Sequence, residues 1–256
     1  MNSPIRIFAI LALMLAWGNS FSQDAEALYH QANDAYQAGE YQQAQALYDS
    51  IVSIGQVSAD LYYNLGNTHF RQGHTGLSVL NYERALAIDP GHDDAQFNLK
   101  LARQRVADRI QPKPQFVLTR WWNTLTTGQP VSFWGMAAVL FMWLMLGAVA
   151  LLLFGGGGLR RMAFVLAGVF ALVSLGSLGL AINRQADIKA HRYAIVIAPN
   201  AYLKDAPDGP TDLMILHEGV KVERLDQIGE WVQVRISGAN IEETEGFLKQ
   251  GTLAGI

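Results

Sequence analysis

The sequence predicts a multidomain protein in three parts: an all-α repeat solenoid, a two-helix transmembrane hairpin and a small all-β barrel. Three observations lead there. The N-terminal part matches itself when shifted by 34 residues. Two long runs without a charge come after it. The last quarter then switches to short alternating runs broken by Gly, Pro and Asn turns. Composition agrees: with 50% hydrophobic and 16% charged residues, the chain is too apolar for an ordinary soluble domain and too charged to lie wholly in lipid. A net charge of −3 spread over both polar parts supplies no basic face for phosphates, so nucleic acid is not an expected partner. The absence of cysteine excludes disulfides, thiolate catalysis and Cys-ligated metal.

The first segment sets the compartment. Arg6 precedes an apolar run over 7–17, and GNSFSQ then places Ser20 and Ser22 where a secretory cleavage site wants small residues. This predicts a signal peptide over 1–22, since an apolar run of that length is too short for a hydrocarbon core of about 30 Å. The chain beyond Ser22 is expected to be exported.

Residues 23–110 carry the repeat. Units 25–58 and 59–92 pair Ala25 with Ala59, Ala32 with Gly66, Asn33 with Asn67, Tyr36 with Phe70, Gly39 with Gly73 and Tyr48 with Tyr82. Leu65-Gly66, Ala85-Leu86 and Asp89-Pro90 in the second unit resemble the tetratricopeptide-repeat pattern closely. Ala32 and Gly66 are expected to let the second helix of each unit lie close to the first, and Gly39 and Gly73 to end the first helix at positive φ. DDAQFNLKLARQRVADRI, over 93–110, reads as a polar capping helix. Two repeats and a cap sit at the lower limit for a stable array, so other contacts are expected to help.

In that family the first helices line a concave face. The resemblance therefore implies a peptide- or protein-binding groove of Tyr29, Asn33, Tyr36, Tyr63, Asn67, Phe70, Arg71 and Asn98, with Glu26, Gln37, Asp60, Phe97 and Arg105 around it. Rings supply contact area, amides fix an extended backbone and a guanidinium pairs with a carboxylate. About half of such ring positions are expected to be core, because aromatic stripes at helical spacing usually are. Asn33, Asn67 and Arg71 carry the groove assignment, being residues that packing alone does not require.

Segment 111–129 changes character. Two prolines break the helix, and Phe116, Trp121 and Trp122 beside Arg120 read as an interfacial belt leading into lipid. The spans are placed at 130–154 and 162–182, joined by GGGGLRR over 155–161 as a tight turn. That glycine run lacks the Gly-Lys-Ser/Thr of a phosphate loop. Gly168, Gly176 and Gly179, with Ser174 and Ser177, offer either a close helix contact or ordinary membrane-helix glycines. Arg160 and Arg161 favour a cytoplasmic turn, although Arg120, Arg184, Lys189 and Arg192 nearly balance them. The signal peptide decides it, putting both soluble domains on the exported side.

After a polar connector over 183–192, residues 193–256 alternate as strands, Val220 to Leu225 and Trp231 to Ile236 among them. Asn200-Ala201-Tyr202-Leu203-Lys204, Pro207, Glu218-Gly219, Glu230-Trp231-Val232 and Glu245-Gly246-Phe247-Leu248 together resemble a bacterial SH3 domain. The last motif departs from the family's Gly-Trp. The resemblance allows a shallow ligand face of Tyr202, Trp231 and Phe247, though Trp231 and Phe247 are the more expected lid of a small core.

Catalytic chemistry is not visible. His69, His74 and His92-Asp93-Asp94 match no HExxH-type spacing, and loop and N-cap roles explain them. No nucleophile motif and no intramembrane acid or base is found, so no enzyme, cofactor or metal is expected. As a whole, the order of modules resembles the BatE-like members of the Bat (aerotolerance) family. That resemblance implies a non-enzymatic scaffold of the bacterial inner membrane, crossing it twice, with both soluble domains periplasmic. The implied partners are Bat proteins with von Willebrand A domains and a MoxR-type ATPase. The competing expectation is an envelope sensor that binds peptidoglycan or its peptides through the SH3-like domain.

Overall fold

The computed structural model describes residues 25–111, 114, 116–189 and 192–256. The signal peptide expected over 1–22 lies outside them, as do the side chains of Arg120 and Lys189.

Helices α1 (25–37) and α2 (Tyr41–Ser53) form the first repeat, α3 (Ala59–Gln72) and α4 (Thr75–Ile88) the second, and α5 (Asp93–Arg103) comes next. Ser58 starts α3 by accepting a hydrogen bond from the Leu61 amide at 3.1 Å. Gly39 and Gly73 end α1 and α3 at φ of 81° and 83°, as the repeat register requires. Gly66 is the close-approach point: a Cβ there would lie 2.7 Å from Tyr82 Cδ1 and Cε1. Ala32 is fully buried at the equivalent place in the first repeat.

The cap is shorter than the sequence suggests. α5 stops at Arg103, and residues 104–111 run on as a strap over the C-terminal domain. Val106 sits over Gly219, Asp108 accepts from the His217 amide at 2.7 Å, and Gln111 donates its amide to Asn240 at 2.8 Å.

Segment 111–129 contains a helix that the two prolines concealed: α6 (Val117–Thr127) begins just after them. At the expected spans stand α7 (Val131–Phe154) and α8 (Gly157–Lys189), both long and apolar enough to cross a membrane. Their outward Leu, Val and Phe side chains are widely exposed, a surface that suits lipid and not water. Two boundaries are corrected. The turn is only Gly155-Gly156, so Arg160 and Arg161 stand in the first turns of α8, and the expected connector over 183–192 is largely the end of that helix. Of the two readings open for Gly168, Gly176 and Gly179, the structure favours ordinary membrane-helix glycines, since nothing lies within 4 Å of where their Cβ atoms would be. The helices meet instead at buried Ala138, Ala148, Ala163, Ser177 and Ala181, and Ser174 Oγ donates to the Ala138 carbonyl at 2.8 Å.

The C-terminal domain is a seven-stranded antiparallel sheet in the order β3-β2-β6-β5-β4-β1-β7. Its strands are β1 (Tyr193–Val196), β2 (Asn200–Lys204), β3 (Asp212–His217), β4 (Lys221–Ile228), β5 (Trp231–Ile236), β6 (Thr244–Lys249) and β7 (Leu253–Gly255). Gly229 at φ 60° makes the tight β4–β5 hairpin. The expected barrel is not closed, because β3 and β7 are unpaired edges.

The two soluble parts share one core. Val79, Leu80 and Tyr82 of α4, Leu99 and Ala102 of α5, and Val106 join Ile195, Val196, Leu203, Val222, Val232, Val234 and Leu248 of the sheet. The first repeat and the inner face of α3 make a second core from Ala32, Ala35, Ala44, Tyr48, Ile51, Leu61 and Leu65. α4 is therefore covered on both sides, which is why its sequence TGLSVLNYERALAI is apolar nearly all round.

Candidate functional site

The first helices of the repeats are tied together by one hydrogen-bond motif used twice. Asn33 Oδ1 accepts from Tyr48 Oη at 2.6 Å and from Asn64 Nδ2 at 3.2 Å, while Asn64 also donates to Tyr29 Oη at 2.8 Å. One repeat on, Asn67 Oδ1 accepts from Tyr82 Oη at 2.8 Å and from Asn98 Nδ2 at 2.8 Å, with Asn98 reaching Tyr63 Oη at 3.4 Å. Each asparagine thus wires the two helices of its own repeat to the first helix of the next. Burial raises the pKa of Tyr48 and of Tyr82, so both hydroxyls remain donors at all ordinary pH. Tyr29 is raised too, by burial and then by the charge of Asp60.

This changes the reading of Asn33 and Asn67. Their carboxamide oxygens are already occupied between helices, so packing does require them. Tyr29, Tyr63 and Asn98 belong to the same network and are half-buried. Polar residues on a helix face look like surface in a sequence; the 34-residue recurrence of Tyr, Asn, Tyr and Asn together was the available sign of an internal ladder.

A second repeating motif stays outward. Arg71 stands exposed beside Tyr36, whose hydroxyl raises the guanidinium's pKa. Arg105, one repeat later, lies with its guanidinium carbon 3.7 Å from the centre of the Phe70 ring. Along α5 the ladder positions equivalent to Tyr63 and Asn67 are Phe97 and Leu101, and Phe97 is 63% exposed. The face therefore ends in an apolar pair and then a cation. Glu26 and Asp60 lie exposed at the opposite, N-terminal ends of their helices, with Asp60 Oδ1 3.3 Å from His92 Nε2. The surface is bipolar, acidic along one edge and basic along the other, and suits an extended or helical segment of matching polarity.

A set of residues that the sequence did not mark joins the repeats to the sheet. Glu83, almost buried on α4, is held by Arg103 and by Lys221 Nζ at 2.8 Å. Arg84 donates twice to the Gly255 carbonyl, at 3.1 and 2.7 Å. Glu218 Oε2 accepts from the Gly76 amide at 2.9 Å and so caps the N-terminus of α4 from the other domain. His74, which precedes that helix, makes no side-chain cap of its own. A glycine at the second position of a helix was the legible hint: its Cβ would lie 2.9 Å from Glu218 Cβ.

On the sheet, the expected ring face is not assembled. Trp231 is only 6% exposed, with the Lys249 ammonium 5.6 Å from its ring centre, and Phe247 is partly buried. Tyr202 alone of the three is exposed, in register with Ile215 on the edge strand β3. No group of three or more His, Cys, Asp or Glu side chains that could hold a metal occurs among the described residues.

Residues 59–92 match the family model of the tetratricopeptide repeat, the span of α3 and α4 with their closing turn. No curated protein matches the chain. The repeat match gives the helical array a protein-interaction character.

Proposed function

We propose that this chain is a non-enzymatic scaffold of the bacterial inner membrane, BatE-like in kind, whose repeat face captures a segment of a partner protein beside the bilayer. The observation that carries the proposal is the exposed stripe Phe97, Leu101 and Arg105 with Arg71, left over after the internal ladder is satisfied, on a body fused to two membrane-length helices. Both soluble domains face the periplasm in this reading, and the partners are other Bat-type membrane proteins with von Willebrand A domains, working with a MoxR-type ATPase. The SH3-like resemblance of the sheet is read as structural: it closes an array that two repeats cannot close alone. A wall-binding role loses support because Trp231 is covered.

The test is photo-cross-linking in living cells from probes at Phe97 and Arg71, with mass spectrometry of the products. Recovery of von Willebrand A membrane proteins is expected. F97A combined with R71A should weaken that capture by about tenfold or more, at roughly 1 kcal/mol per exposed anchor, while leaving the melting temperature unchanged. Capture that survives both substitutions overturns the groove assignment.

A further inference from the structure

Among the described residues, the apolar side chains of helix α6 are left exposed. At 100° per residue, Val117, Leu118, Trp121 and Trp122 fall within an arc of about 140°, and Thr119, Thr124 and Thr126 fall outside it. The apolar side chains are turned outward: Val117 is 77% exposed, Leu118 66%, Trp121 60% and Trp122 55%. Phe116, at the N-cap, extends the same surface. Only Gly128, Gln129 and Pro130 separate this helix from α7, and it packs against α8 on its way. The apolar surface of the hairpin is thus preceded, three residues away in sequence, by that of α6.

We propose that α6 is a surface anchor that lies in the headgroup layer, its tryptophans at the boundary between headgroups and acyl chains. Several features select lipid over a protein partner. The stripe adjoins the two spans, and at 11 residues the helix is too short to cross a core of about 30 Å. Its tryptophans combine a large apolar ring with one N–H donor, which suits a layer that is apolar on one side and wet on the other. Its opposite face is threonine-rich and nearly uncharged, so attachment rests on apolar area and not on attraction to anionic headgroups. The anchor also sets where the soluble body stands. Gln111 is fixed to the loop between β5 and β6 by its bonds with Asn240 and Ala239, and only residues 112–116 lie between it and α6. The six steps from Gln111 to Val117 reach at most about 22 Å, so the body is held close to the bilayer surface.

The cysteine-free sequence makes the test direct, because any introduced cysteine is the sole labelling site. Single-cysteine variants L118C and T119C of the full chain, spin-labelled in vesicles of phosphatidylethanolamine and phosphatidylglycerol, report access to oxygen, which concentrates in lipid, and to a nickel chelate, which stays in water. Position 118 is expected to show an oxygen-to-nickel ratio several-fold above position 119, intermediate between water and L172C on the exposed face of α8. Equal, water-like values at 118 and 119 overturn the anchor. Access to neither reagent at 118 overturns it as well, since that signals cover by protein. L172C separates the two failures: oxygen access there with none at 118 leaves the membrane hairpin standing and removes only α6 from the surface. In the full chain, W121F/W122F should reduce the tryptophan quenching by lipid brominated near the headgroup to the share that Trp134 at the start of α7 supplies, and quenching left at its full value counts equally against the proposal.

Discussion

If the repeats and the sheet share one core, weakening a residue at their junction must loosen both. Val106 is the sharpest probe. It lies on the strap after α5, is 7% exposed, and its Cγ2 would be 2.5 Å from a Cβ on Gly219. V106A removes two methyl groups, worth about 1.6 kcal/mol at ~0.8 each. The gap left behind adds a fraction of 1 kcal/mol, because a strap can settle inward more readily than a helix. A loss of about 2 kcal/mol speeds any exchange that requires the whole unit to open by about 30-fold. Hydrogen exchange on the full chain in lipid, read by mass spectrometry, should show that acceleration in peptides of α4 and of β5 alike. Acceleration confined to residues 104–111 and the β3–β4 turn, with α4 unchanged, would refute the shared core and return the sheet to the status of an independent domain.

Other substitutions probe single links. G66A should cost about 1–3 kcal/mol in thermal unfolding, because its Cβ would stand 2.7 Å from the Tyr82 ring; an unchanged melting temperature removes the close-approach argument. Y82F should cost about 1 kcal/mol and be strongly coupled to N67A in a double-mutant cycle, while additive effects would mean that the ladder is not cooperative. Replacing Glu83 by Gln leaves Arg103 and Lys221, both partly exposed, free to hydrate, so the loss should be about 1–2 kcal/mol, well short of a fully buried pair. Burial, partly opposed by Asp49, holds the His69 imidazole down at about 4 against an ordinary 6.5. Its folded pKa lies below its unfolded one, so that contribution to stability is complete above pH 6.5 and is lost as the pH falls toward 4. Melting temperature should drop through that window, and H69Q should flatten the drop.

Local periodicity made much of this fold readable. The 34-residue register placed four helices and the positive-φ glycines Gly39 and Gly73, though not Gly55, and alternation located β5 to the residue. What periodicity could not supply was the partner of a face. α4 reads apolar on two sides, yet nothing in a repeat says that the second side meets a sheet more than a hundred residues later, beyond two membrane-length helices. The same blindness governs the glycines of α8: small residues permit a close contact on whichever face they occupy, and here alanines and serines occupy the one that faces α7. The groove residues show it most plainly. Asn33 and Arg71 are both polar residues on first helices, and only the folded chain reveals that one is spent inside the ladder while the other stays outside.

The shared core also constrains how α7 and α8 could cross a bilayer. Residues before α7 and residues after α8 pack into a single apolar cluster, joined by Glu83 to Lys221, Arg84 to Gly255 and Gly76 to Glu218. A core cannot be divided by a membrane, so both flanks lie on one side and the number of crossings between them is even. Two helices of sufficient length satisfy that condition, whereas a single crossing with the second helix lying on the surface would tear the core apart. Cysteine-labelling with a membrane-impermeant maleimide at Gln42 and at Glu230, both exposed and on opposite sides of the hairpin in sequence, should therefore give the same answer in intact cells. Protection of one and labelling of the other would contradict the core itself, whichever side of the membrane the body occupies.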